Sequence, residues 1–405
     1  VITLSAMRRP ASAAEIEAAL ARLDHAPGIY FGVDAGVPGL HPLQATLVER
    51  PALVIRLFGN GVEVQELTAW GEALMRQPDL AACARQPLRG PGRSPLELLR
   101  AFMAAFAASP DVLLIGALPF AAHRSAAAAA DGDELGVLFF PESYFRRDGS
   151  DSWQAVTLGL DGAERAPVDA PPAAGPWSSS KELDSCPPQD DYPPGGYAQM
   201  VREALVYLNE RPLVSLTLSQ SYRRQVELSP ARAFKRLREA NPAPASFFLN
   251  DGTGECLLGA SPDLQLVISD RSVQALPVCG TVARGAGAVG ESESLKELLD
   301  EAVDAASLAV CTDALRNDLA PLCEPGSLRL LDRRRPMALA TVIHTVDRLA
   351  GRLREGCDAW DAIAATAAPV MVTGTPRSHA LAAIEQLEAS PRGWYGGMVV
   401  QVAAN

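Results

Sequence analysis

The sequence predicts an α+β protein, and three of its features carry that expectation. Strand-like runs and amphipathic helices are interspersed along both halves of the chain. A Pro-, Ser- and Gly-rich stretch from Arg165 to Tyr197, "RAPVDAPPAAGPWSSSKELDSCPPQDDYPPGGY", separates those halves, because it can sustain neither a helix nor a ladder. The one glycine motif that would signal a doubly wound parallel sheet lacks the strand such a sheet needs next.

The elements follow in chain order. "VITLSAMRRPASAAEIEAAL" reads as a short strand and then a helix, not as a signal peptide, and it starts at Val1 without Met. "ALVIRLF" (Ala52–Phe58) and "LGVLFFP" (Leu135–Pro141) are apolar runs of strand length. Between them "SPLELLRAFMAAFAAS" is an amphipathic helix with Ser94 as N-cap and Pro95 at its first position, where a missing N–H leaves nothing unpaired. These elements make an N-terminal α+β subdomain of residues 1–165, followed by a linker of residues 166–196 and a second subdomain of residues 197–405. The second is expected to run helix "YAQMVREALVYLNE", strand "LVSLTLSQSYRRQ", helix "SPARAFKRLREAN", then strands "ASFFLN", "ECLLGAS" and "LQLVIS". Beyond these, "VQALPVCGTVA" reads as a strand and "ESESLKELLDEAVDAASLAVCTDAL" as one long helix.

Composition excludes several classes. With 48% hydrophobic and 21% charged residues over 405 positions, the chain can build more than one core and is not a disordered protein. Its net charge of −12 opposes binding to a nucleic-acid backbone or an anionic membrane, so neither is an expected partner, and there is no run of 18 apolar residues. Seven cysteines (Cys83, Cys186, Cys256, Cys279, Cys311, Cys323 and Cys357) are odd in number and show no C-x-x-C spacing. That pattern fits reduced thiols and a cytoplasmic protein rather than a disulfide framework or a zinc site.

"CGTVARGAGAVGES" contains a literal G-x-G-x-x-G at Gly285, Gly287 and Gly290. A dinucleotide site would need a second strand with an acidic residue about 20 residues further on. The helical pattern fills that interval, and the next strand-like run, "SLRLL", begins only at Ser327. The glycines therefore read as a strand-to-helix connection and not as a phosphate cradle.

Six ordered blocks carry a more specific signal: "GASPD" (Gly259–Asp263), "PVCGTVARG" (Pro277–Gly285), "RNDLAPLCEPGSL" (Arg316–Leu328), "VIHTVDRLAGRL" (Val342–Leu353), "TGTPRSHALAAIEQLE" (Thr373–Glu388) and "PRGWYGG" (Pro391–Gly397). In order and spacing they resemble the chorismate-utilising family, which includes anthranilate synthase component I and the aminodeoxychorismate, isochorismate and salicylate synthases. The first half matches more weakly, through "ERPALVIRLFGNGVEVQ" and "DELGVLFFPESYF". The resemblance implies two large, mostly antiparallel sheets facing each other with helices outside. It also implies a carboxylate-bearing small-molecule substrate and a glutamine amidotransferase subunit as a possible partner. Mg²⁺ held by glutamates is expected of the family, with an acid to protonate the departing ring hydroxyl and a base or nucleophile at the far ring face.

Residue by residue, the resemblance assigns Gly280 and Thr281 to the G-T element, His344 to the pocket histidine, and Tyr395 with Gly396 to the Y-G-G turn. Arg377 stands for the usual Lys, keeping the charge in a different geometry. Several positions depart from the pattern. The general-acid Glu is Asp263, one methylene shorter; the pocket threonine is Met371; the position of a Gln or Lys base is Ser215; and Cys279 stands where relatives carry Ala or Lys. Aligned without gaps back from "RNDL", the family's metal-ligating helix reads "EAVDAASL" (Glu301–Leu308), so Ser307 replaces the Mg²⁺-ligating Glu and Asp304 is the one weak candidate ligand. The family continues past the position of Asn405 with an Arg-bearing strand, a Gly-rich turn and a helix bearing Glu and Lys, whose contacts are left unassigned.

Plainer readings stand beside these. His344 on an apolar strand can be a satisfied core histidine, Cys279 a small filler, and Arg223–Arg224 in "QSYRRQ" a solvated face. Three functions follow: an enzyme of aromatic or specialised metabolism acting on chorismate or a related carboxylate; a relative repurposed for metal-independent chemistry in the same cleft; or a non-catalytic binding or scaffold paralogue.

Overall fold

The computed structural model describes residues 1–33, 36–37, 39–40, 43–59, 61–80, 95–123, 134–149, 152–160 and 189–404. Ser94, Cys83, Cys186 and most of the expected linker lie outside the described residues. The chain forms two compact units that are discontinuous in sequence, unlike the three consecutive spans read from the sequence. The first comprises Val1–Trp177, Ser229–Leu264 and Met398–Asn405; the second comprises Ser178–Leu228 and Gln265–Gly397.

The first unit is built on a ten-stranded sheet whose paired strands are all antiparallel. Its central ladder joins Gln44–Phe58 to Glu134–Asp148, and the expected runs at Ala52–Phe58 and Leu135–Pro141 lie within these two strands. Their register shifts where Pro51 faces Pro141, because two residues without an N–H cannot continue the ladder. Helices Ala13–Arg22 and Pro230–Ala240 contribute Ile16, Ala19 and Phe234 to a buried cluster with Tyr30, Leu47 and Phe248 of the sheet. The first helix starts in a capping box between Ser12 and Glu15, and the second at Ser229 followed by Pro230. Strand Met398–Ala404 returns to this sheet against Ser109–Leu118.

The second unit holds a five-stranded antiparallel sheet organised on Val342–Arg352. One edge of that strand pairs with Ser272–Ala275 and Val278–Ala283, the other with Arg329–Ala338. Asp347, fully buried on this strand, accepts hydrogen bonds from Thr312 Oγ1 (2.6 Å), the Arg334 backbone N–H (2.7 Å) and the Arg333 guanidinium. One carboxylate thereby ties the central strand to its neighbour and to helix Ala302–Leu319.

Two expected elements differ. The long helix expected from Glu291 breaks at Glu301, where ψ of 112° ends Gly287–Asp300 and opens Ala302–Leu319. Glu301 caps the second helix through Val303 N–H at 2.9 Å, while Arg334 takes the terminal carbonyls of Leu298 and Leu299. That second cap comes from a distant strand, so no local signal marks the break. The expected strand "LVSLTLSQSYRRQ" is reduced to two-residue ladders at Ser215–Leu216 and Tyr222–Arg223. The backbone between them is satisfied largely by side chains: Leu218 O by the Tyr197 hydroxyl, Ser219 N–H by Glu388 and Ser221 N–H by Asp191. In the glycine-rich stretch, a Cβ on Gly285 would lie 2.1 Å from Gly290 O, so these glycines let strand end and helix start touch.

Arg392 and Glu388, 1% and 4% exposed, form a buried pair with contacts of 2.6 and 2.9 Å. The same guanidinium donates to Thr217 O (2.7 Å) and Val372 O, and Glu388 accepts from both the backbone N–H and the hydroxyl of Ser219. Replacing one partner strands the other charge. Arg392→Met should therefore cost about 3–5 kcal/mol in urea unfolding. Adding Glu388→Leu should recover part of that loss, whereas additive losses would mean the pair is not coupled.

Candidate functional site

Strand Val278–Ala283 carries a bulge between Cys279 and Thr281, where Gly280 adopts φ +85°. The bulge brings Thr281 opposite His344: Thr281 Oγ1 lies 2.9 Å from His344 Nδ1, and Gly280 O lies 3.1 Å from the same nitrogen. A carbonyl can only accept, so Nδ1 carries the proton and Nε2 keeps its lone pair. Burial lowers the His344 pKa against the raising effect of the Gly280 carbonyl, so the ring is neutral near pH 7. Next to it, the buried Thr345 hydroxyl donates to Cys279 O. A Cβ on Gly280 would stand 3.2 Å from Asp304 Cβ and Oδ2, so glycine admits the start of helix Ala302–Leu319 against the bulge. Gly280, Thr281, His344, Cys279 and Asp304 are thus brought together.

A second group gathers around Gly374, whose φ of +118° and 2.3 Å Cβ clearance to Ser215 O permit no side chain. Ser215 pairs with Thr375, Met371 O accepts from Thr217 Oγ1 at 3.0 Å, and Met371 Sδ packs against Cys311 Sγ. Tyr395, 48% exposed, lies over the Arg392 guanidinium at 5.5 Å and precedes Gly396 with φ +74°. Beside Tyr395 is a concavity of about 430 Å³, lined also by Asp191, Tyr197, Gln220 and Ser390.

Arg377 is committed elsewhere. Its guanidinium pairs with Asp318 and donates to Ala365 O at 3.1 Å, so the positive charge expected to meet a substrate carboxylate is neutralised within the fold. Arg223 and Arg224 are exposed, as expected of a solvated face, and pair there with Asp191 and Asp190. Asp263 belongs to the first unit, where burial pushes its carboxyl up to about 6. The sequence reading missed Arg392 and Glu388, although their i, i+4 spacing was visible; Ser390 and Pro391 between them hid it by ending the helical pattern.

The donor set does not fit the family's metal. Asp304 offers one carboxylate, and Ser307, one turn along, a neutral hydroxyl. Glu301 spends its carboxylate on the helix cap. Among the described residues no three His, Cys, Asp or Glu side chains converge.

Residues 68–405 match the family of chorismate binding enzymes, and the chain belongs to that family. It is 43% identical to an anthranilate synthase of Azospirillum brasilense over 207 residues, covering 51% of this chain and 28% of that protein. It is 32% identical over 210 residues to anthranilate synthase component 1 of Cereibacter sphaeroides, covering 52% and 42%. Each of these matches thus spans less than half of the relative's length. Among solved structures, the menaquinone-specific isochorismate synthase of Escherichia coli superposes with a TM-score of 0.69 at 14% identity, covering 100% of this chain and 83% of that one. Anthranilate synthase component I of Streptococcus pneumoniae follows at 0.66 and 20%, covering 91% and 82%. These likenesses give the α+β fold of the family. No helix among the described residues is long and apolar enough to cross a membrane.

The raised Asp263 pKa has a measurable sign. The folded state holds this proton up to about pH 6, whereas the unfolded chain releases it near 3.8, so stability present below pH 3.8 is lost as pH rises through 6. Asp263→Asn should then be about 1–3 kcal/mol more stable than wild type in urea at pH 8 and equal to it at pH 3.5. Equal stability at both pH values would show that the carboxyl is not strained by burial.

Proposed function

We propose that the chain is an anthranilate synthase component I-like enzyme of aromatic or specialised metabolism in the cytoplasm, acting on chorismate or a related cyclohexadiene carboxylate. Ammonia for an amination would come from a glutamine amidotransferase subunit. The observation that carries this reading is the neutral His344, with Nδ1–H held by Gly280 O and Nε2 left to accept a proton, in a chain that matches the family over residues 68–405. Thr281, beside it, offers a hydroxyl to the substrate, and the exposed Tyr395 a phenol. The donors at Asp304 and Ser307, one carboxylate and one neutral hydroxyl, favour chemistry independent of Mg²⁺.

Calorimetry and turnover assays on the 405-residue chain, with chorismate, isochorismate and related acids plus an ammonium salt, test the proposal. A carboxylate of this class should bind, and both binding and any turnover should survive EDTA. Strict Mg²⁺ dependence would instead restore the ordinary metal-assisted reading and discredit the gap-free alignment of Glu301–Leu308. Failure of all these acids to bind would leave the enzyme reading without support.

A second expectation concerns the histidine. His344→Gln keeps a polar side chain of similar reach but loses the basic nitrogen, so turnover should fall by about 10²–10⁴-fold with the melting temperature little changed. Activity within a few-fold of wild type would return His344 to the role of a core histidine.

A further inference from the structure

Cys323 and Cys357, 34 residues apart in sequence, pack on one apolar cluster of the second unit. Cys323 is buried in a cluster with Leu315, Leu319, Leu349 and Leu353, and Cys357 packs against the same cluster. The backbone holds them there from both sides. Cys323 forms an isolated antiparallel bridge with Leu353, flanked by Glu324 N–H to Arg352 O and Arg354 N–H to Leu322 O, both 2.8 Å. The chain then turns through Cys357 N–H to Arg354 O at 3.1 Å, folding Cys357 back toward the bridge. The two thiols are not equivalent. Cys357 is half-buried, and its Sγ accepts a hydrogen bond from Arg354 Nε at 3.2 Å. Burial pushes the Cys323 thiol up.

We propose that Cys323 and Cys357 are a redox modification site that closes to a reversible disulfide in the presence of a peroxide. The Cys357 thiol gives up its proton and its sulfur attacks a peroxide oxygen; the S–O bond forms, the O–O bond breaks, and the hydroxide that leaves takes up that proton as water, giving a sulfenic acid. The Cys323 sulfur then displaces the hydroxyl group from Cys357; the S–S bond forms, the S–O bond breaks, and a second water carries away the remaining proton. One peroxide is reduced and two thiols are oxidised. The closed ring spans strands Arg329–Ala338 and Val342–Arg352, so the bond fastens the base of the hairpin that carries His344. Neither cysteine belongs to a local motif, which is why their scatter along the sequence reads as unpaired thiols.

Mass spectrometry of the intact chain after brief exposure to hydrogen peroxide tests this directly. Trypsin releases Cys323 in residues 317–329 and Cys357 in residues 355–377, each the single cysteine of its peptide. The expected result is one linked species joining these peptides, about 2 Da below their sum and lost on treatment with dithiothreitol. Cys357→Ser should abolish it. Cys323→Ala should leave a sulfenic acid on Cys357 that dimedone traps, and Arg354→Gln should slow linkage several-fold. A wild-type chain in which Cys357 is oxidised alone, while Cys323 stays alkylatable only after unfolding, would overturn the proposal.

Discussion

The irregular part of the second unit depends on one buried ion pair. Arg392 and Glu388 are removed from water, and a pair so placed is held only if nearly every donor and acceptor it carries is used. Here the guanidinium takes two backbone carbonyls as well as the carboxylate, and the carboxylate takes a backbone N–H and a hydroxyl. These contacts reach three segments that share little regular secondary structure: Thr217–Ser219, Val372 and the turn leading to Tyr395. Ser215, Met371 and Tyr395 all lie within a few residues of an atom fixed by this pair. The positions that a pocket would draw on are therefore set by electrostatics satisfied in the interior rather than by strand register.

The sheet of the second unit works by a different rule. There His344 is placed by register, and the register is broken on purpose at Gly280. The left-handed glycine turns its carbonyl toward the imidazole and leaves room for Asp304, so one residue fixes the histidine tautomer and admits the helix. Buried Asp347, three residues beyond His344, ties the same strand to helix Ala302–Leu319.

How much of this was legible follows from the range of the forces involved. Strands such as Ala52–Phe58 and Leu135–Pro141 announce themselves because apolar runs are local signals. The block order likewise pointed to the family. What escaped was tertiary. Glu301 breaks a helix that its own composition would continue, because Arg334 caps the first half from a strand. The apolar alternation of "LVSLTLSQ" predicts a long strand, but the ladder lasts only through Ser215–Leu216, and beyond it Thr217 O, Leu218 O and Ser219 N–H go to side chains. Arg377 kept the expected charge but found Asp318, which no spacing rule links to it.

The last strand of the first unit's sheet has a further meaning. Met398–Ala404 pairs with Ser109–Leu118 only after the chain has traversed the whole of Gln265–Gly397 in the other unit. During synthesis, the partner edge at Ser109–Leu118 must wait for a strand made some 280 residues later, an interval of tens of seconds at ribosomal speed. The second unit can complete its own sheet within that interval, whereas the first cannot close its sheet until the second has been made. Vectorial synthesis therefore reverses the order of the sequence: the unit that begins the chain is the one finished last.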